Sequence, residues 1–129
     1  MFSLKNKNIV VTGSLGLLGR EFVESIAEYQ GNLILIDLDQ SKLDEQAKKI
    51  ETKYNIKCKG YSIDISKESN FQKKINLILN EFQKIDGLIN NAANNPKVEN
   101  SDQSFSRLEN FDLNIWDNDL NVGLKGSFL

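Results

Sequence analysis

The sequence predicts an α/β fold: a doubly wound parallel sheet, incomplete, ordered βαβαβαβα, with strand order 3-2-1-4. Three observations lead there. Short apolar runs of strand length alternate with longer stretches whose apolar residues recur every three or four positions. Glycines at 13, 16 and 19 stand where the first run turns into the first helical stretch. The early connections are short. Strands alternating with helices of this length form a parallel sheet with helices on both faces. Right-handed crossovers then set the strand order.

Residues 7 to 12 read as the first strand. Leu18, Phe22, Ile26 and Tyr29 follow at helical spacing, and Gly31 fits a helix stop. Leu33, Ile34, Leu35 and Ile36 form an unbroken apolar run, as expected of a strand covered on both faces. Ser41 can cap the second helix, whose apolar positions are Leu43, Ala47, Ile50 and Tyr54. Residues 57 to 63 are more polar, which suits an edge strand. Ser66 can cap a third helix with Phe71, Ile75, Ile78 and Phe82 on one face. Residues 85 to 90 are the fourth strand. A polar loop over about 91 to 110 holds Pro96, the only proline, and a last helix carries Leu113, Trp116, Leu120, Leu124 and Phe128. Core packing is the expectation for every one of these apolar stripes.

A chain of 129 residues reads as one domain, 1–129, able to bury roughly two-thirds of its unfolded surface. The net charge of −2 argues against a nucleic-acid binder, which would carry a basic patch. No apolar run approaches bilayer-spanning length, and the N-terminus shows no signal-peptide plan. The single cysteine, Cys58, fits a reducing cytoplasm as a partly buried strand residue. The absence of histidine excludes a Ser-His-Asp triad and histidine-based zinc sites within the chain, and no metal site is expected.

The segment Thr12-Gly13-Ser14-Leu15-Gly16-Leu17-Leu18-Gly19 has the order that holds a dinucleotide pyrophosphate. Gly13 permits the tight turn, Gly16 lets the backbone approach the phosphates, and Gly19 lets the helix lie on the sheet. The helix N-terminus then faces the anion with free N–H groups. A glycine loop shaped only by its turn is the plain alternative. Asp37, followed by Leu38, ends the second strand, where the Rossmann-type pattern places an acid about 20 residues past the glycines. Such a carboxylate accepts from both ribose hydroxyls and repels a 2′-phosphate, favouring NAD over NADP; capping of the next helix is its alternative role. Asp64 and Ile65 follow the third strand at the ligand-facing end, where the acid can meet the adenine amine and the isoleucine its ring. A helix-start carboxylate is the alternative for Asp64. Asn90, Asn91, Ala92 and Ala93 end the fourth strand across the switch point. Small residues leave room for a cofactor there, and Asn90 can bond backbone groups of neighbouring strands. An asparagine-rich turn would look the same.

Together with Asn121-Val122-Gly123-Leu124-Lys125-Gly126, these segments resemble the N-terminal half of a short-chain dehydrogenase/reductase over essentially the whole chain. The resemblance implies that Asp64 contacts adenine, that residues 90 to 92 line the adenosine side, and that Asn121 is the catalytic-site asparagine. In that role it bends its helix and holds a water in the proton relay. The cofactor-binding set is then Gly13, Ser14, Leu15, Gly16, Leu17, Leu18, Gly19, Asp37, Leu38, Asp64, Ile65, Asn91, Ala92 and Ala93.

Two departures stand out. The spacing G-x-x-G-x-x-G is typical of the family's extended branch, which works on nucleotide sugars, whereas Asn-Asn-Ala-Ala is typical of its classical branch. The family's Tyr-x-x-x-Lys pair is also missing: Tyr29, Tyr54 and Tyr61 have no lysine four residues on. The chain ends at Leu129, inside the helix of Asn121, before a fifth strand. It therefore reads as the NAD-binding part of an alcohol–carbonyl oxidoreductase acting on a small, sugar- or polyol-like substrate, inactive alone, with the oligomeric state of a full-length form left open and a homo-oligomer one option. Two other readings remain: a non-catalytic dinucleotide-binding or interaction module, and a fragment of an extended-type nucleotide-sugar epimerase or dehydratase.

Overall fold

The computed structural model describes residues 2–94 and 111–129. In chain order it contains β1 (Asn8–Thr12), α1 (Leu17–Glu28), β2 (Asn32–Asp37), α2 (Gln40–Tyr54), β3 (Cys58–Ser62), α3 (Phe71–Phe82), β4 (Gly87–Ile89) and α4 (Leu113–Leu120). A π turn (Asn121–Lys125) and a short helical turn (Gly126–Phe128) continue α4. The sheet is parallel, in the order β3-β2-β1-β4. This is the doubly wound, Rossmann-type arrangement expected from the alternation of elements.

Strand side chains alternate between two cores because the pleat has a period of two. Val11, Leu33, Leu35 and Cys58 meet Val23, Ile26 and Ala27 of α1 and Leu43, Ala47 and Ile50 of α2. Val10, Ile34 and Ile36 face the other way, onto Ile63, Ile65, Ile78 and Phe82. The continuous apolar run of β2 is thus covered on both faces. Cys58 is fully buried rather than partly so, and burial pushes its thiol up to about 12. At the base of the sheet, buried Asn8 donates to the Phe82 and Lys84 carbonyls and accepts from Asn32, whose own oxygen accepts from the Lys57 amide. One chain of side-chain amides therefore joins the starts of all four strands.

Several local expectations are corrected. Asp39, not Ser41, caps α2, because the helix starts at Gln40 and the Asp39 carboxylate accepts from the Lys42 N–H at 3.1 Å. Ser66 caps no helix. Its hydroxyl goes to Asp64, and a 3-10 turn (Glu68–Asn70) precedes α3. The stop after α1 uses Gln30 in the left-handed region (φ 64°), while Gly31 is buried against Ile26 and Leu4. Leu18, Phe22 and Tyr29 are exposed, and the packed face of α1 is Val23, Ile26 and Ala27. β4 is shorter than residues 85 to 90. The loop expected over 91 to 110 is seen only through residue 94; Pro96 lies outside the described residues.

The last helix differs most from expectation. Leu113, Trp116, Leu120, Leu124 and Phe128 are all exposed, Phe128 by 87%. The side that packs is Ile115, Asp119, Val122, Gly126 and Leu129, with Gly126 alone fully buried. A Cβ at Gly126 would lie 2.8 Å from Ile65 Cδ1 and Cγ1, so glycine lets this helix close on the chain just after β3. The larger apolar stripe is left largely uncovered by the described elements.

Candidate functional site

The C-terminal ends of β1, β2, β3 and β4 converge on the glycine loop. Gly13 takes φ +64°, and a Cβ there would come within 2.8 Å of Ala92 Cα. A Cβ on Gly19 would come within 2.0 Å of the Gly13 carbonyl oxygen, so α1 can leave the loop at this angle only with glycine. Gly16 stands at the N-cap of α1 and supplies no side-chain cap. The first-turn N–H groups of α1 therefore open outward beside Leu17 and Leu18, which are 86% and 64% exposed.

Thr12 ties the loop to β4. Its hydroxyl accepts from the Asn91 and Ala92 amides at 3.0 and 3.1 Å and donates to the Ile89 carbonyl at 3.3 Å. The Asn91 side chain donates to the Thr12 and Gly13 carbonyls, both at 3.0 Å. The bridging role expected of Asn90 thus belongs to Asn91. Asn90 instead borders an apolar hollow of about 160 Å³ beside Thr12, Leu88 and Gly126. Ala93 is exposed beyond Ala92, and the Asn94 amide donates to Asp119 of α4 at 2.9 Å.

The Asp37 carboxylate lies against the loop. One oxygen accepts from the Leu15 N–H at 2.9 Å and the other from the Leu38 N–H at 2.8 Å. A carboxylate has about four acceptor positions, so each oxygen keeps one for a further donor. Asp37 does not cap α2, since Asp39 does. Leu38 is exposed beside it. Ser14 is fully buried, with its hydroxyl toward the Ile36 carbonyl, and braces the loop from behind.

Asp64 accepts from the Ser66 hydroxyl at 2.6 Å and the Ser66 amide at 3.1 Å, and pairs with Lys67 at 3.2 Å. The Ser66 hydroxyl, more than any other neighbour, holds its carboxyl below the usual range. Ile65 is 7% exposed and packs on Gly126, so it offers little side-chain surface to a ligand. Asn121 is exposed and opens the π turn, in which the Gly126 N–H donates to the Asn121 carbonyl five residues back. Such turns are frequent at functional sites.

Thr12 and Gln46 do more here than their sequence positions suggest. Thr12 carries a signal, being a hydroxyl residue at the strand end directly before the glycines. Gln46, in the middle of α2, carries none; its amide donates to the Ser14 carbonyl at 3.2 Å.

A glycine loop, an uncapped helix start and an acid at the next strand end define a dinucleotide-binding fold. The family model for short chain dehydrogenase matches residues 7–129, and the chain belongs to that family. A diacetyl reductase [(S)-acetoin forming] from Staphylococcus epidermidis is 29% identical over 119 residues, covering 86% of this chain and 43% of the reductase. The crystal structure of an NAD+-bound xylitol dehydrogenase superposes with a TM-score of 0.85 at 20% identity, over 98% of this chain and 46% of the other. A metagenomic short-chain oxidoreductase in complex with NADP gives 0.83 at 20% identity, over 98% and 54%. At such identity the two structures speak for the fold alone. The chain spans about half the length of these proteins. Among the described residues, no helix is long and apolar enough to cross a membrane.

Proposed function

We propose that this chain is the NAD-binding half of a short-chain dehydrogenase that interconverts an alcohol and a carbonyl on a small, sugar- or polyol-like substrate in the cytoplasm. The observation that carries the reading is the Asp37 carboxylate, bonded to the Leu15 N–H of the glycine loop with acceptor capacity to spare. It is placed to take the two hydroxyls of the adenosine ribose, and its charge opposes a 2′-phosphate. The residues fit a dinucleotide in two further respects. Gly13 and Gly19 leave no room for side chains, and the start of α1 offers N–H groups to a pyrophosphate. When bound, nicotinamide supplies the hydride acceptor or donor.

The protein's own part is division of labour around the loop. Gly13 to Gly19 hold the phosphates, with Ser14 and Leu15 shaping the turn and Leu17 and Leu18 at its rim. Asp37 and Leu38 take the ribose side, Asp64 and Ile65 the adenine side, and Asn91, Ala92 and Ala93 the wall beyond β4. Asn121, at the π turn, is placed to hold a water for proton transfer. The residues of this chain include no Tyr-x-x-x-Lys pair, so the part argued for them is cofactor binding.

Calorimetric titration of the purified chain with NAD and with NADP tests this. Saturable binding with NAD preferred is the expected result. Binding of neither, or a preference for NADP, overturns it.

A further inference from the structure

The Ser14–Leu15 peptide is gripped at both ends. Its carbonyl oxygen accepts from Gln46 Nε2 at 3.2 Å, and its N–H donates to Asp37 Oδ2 at 2.9 Å. With its flanking Cα atoms held, a peptide plane keeps one crankshaft rotation, and two opposed bonds restrain it. Gln46 reaches the loop from α2 at the floor of a cleft of about 340 Å³ between α1 and α2, beside Leu15, Arg20 and Lys49.

Gln46 holds this post at a cost. Its other amide atom, Oε1, is buried with no hydrogen-bond partner among the described residues. A buried acceptor left unpaired lowers stability, and an apolar side chain of the same length would avoid it. A local penalty of this kind is the sort that functional sites carry.

We propose that Gln46 is a positioning residue for cofactor recognition: through the Ser14–Leu15 peptide it fixes the direction in which Asp37 faces the adenosine ribose. The proposal rests on the dinucleotide reading above. Gln46 touches no ligand itself. It acts on binding through the carboxylate, so its effect depends on Asp37 being present.

The test is a double-mutant cycle on the full chain, with NAD affinity measured by calorimetry for the unaltered protein, Gln46→Met, Asp37→Ala and the double variant. Gln46→Met is expected to weaken NAD by about threefold to tenfold, the worth of one net hydrogen bond. In the Asp37→Ala background the same substitution should change affinity less than twofold, by about the noise of independent sites. Equal losses in both backgrounds, or no loss in either, overturn the proposal while leaving NAD binding intact. Failure of the unaltered chain to bind NAD overturns both readings. Should Gln46→Met fold poorly, amide exchange on the unaltered protein decides instead. Slow exchange at Leu15 N–H and at the Gln46 side-chain amide is expected, and fast exchange at either excludes the clamp.

Discussion

At Asp37 a charge and two accepted N–H bonds act on one carboxylate. Replacing it with alanine removes the acceptor proposed for the ribose and releases the Leu15 N–H. We expect Asp37→Ala to weaken NAD by about tenfold to a hundredfold, the range for hydrogen bonds to a charged group. NADP should be weakened less, because a repulsion is removed at the same time; parallel calorimetric titrations check the difference. Acid dependence follows from Asp86. Its carboxyl lies below the ordinary 3.8, held there first by Lys84, then by the Asn8 amide and Lys7. A lowered carboxyl pKa contributes stability above its unfolded value and loses it as pH falls through the folded one. The melting-temperature gap between Asp86→Ala and the unaltered protein should therefore be present at neutral pH and close as the pH drops below 3.8. Residue-level legibility was uneven for physical reasons. Gly13, Gly19 and Asp37 sit at fixed offsets from a strand end. Asn90 and Asn91 are the same residue type side by side, and only the path of the chain just beyond β4 decides that the second one bridges to Thr12. Gln46 looks like any solvent-facing helical glutamine until α2 is packed against the loop.

Among the elements, the start of α2 shows how local chemistry underdetermines a boundary. Asp39 and Ser41 are both good caps. The one that acts is set by where the chain leaves β2, which depends on the sheet register Thr12–Ile36 rather than on either residue. Asp39→Ala should lower the melting temperature by a few degrees, whereas Ser41→Ala should leave it unchanged; thermal unfolding by circular dichroism separates them. Periodicity located the helices but did not always pick the inward face. In α1 Leu18 and Phe22 lie outward, and Val23, Ile26 and Ala27 lie inward. Contact of Gly19 with the Gly13 carbonyl helps set which side of the helix faces the core.

For the whole molecule, the strand order was legible because right-handed crossovers leave few alternatives. The coverage of the last helix was not, since it depends on what lies beside β4. Leu88 on β4 and Trp116, Leu120, Leu124 and Phe128 on α4 and its extension are exposed together. Apolar surface beside a strand edge favours association. The isolated chain should bind hydrophobic dyes and sediment in a concentration-dependent way, with Trp116 emission typical of a wet indole. A sharp two-state melt of a monomer, independent of concentration, would count strongly against this.

The π turn in the last helix works as a phase shifter. One additional residue in a turn moves everything after it by about 100° around the axis. That slip, rather than the length of the helix, is what delivers Gly126 to Ile65. Closing the same intact segment as an ordinary α-helix would turn Lys125 into the glycine's place, where a Cβ meets Ile65 at 2.8 Å. The segment after Leu120 is thus geared to the chain just after β3, and an edit at Asn121 would be felt at Ile65.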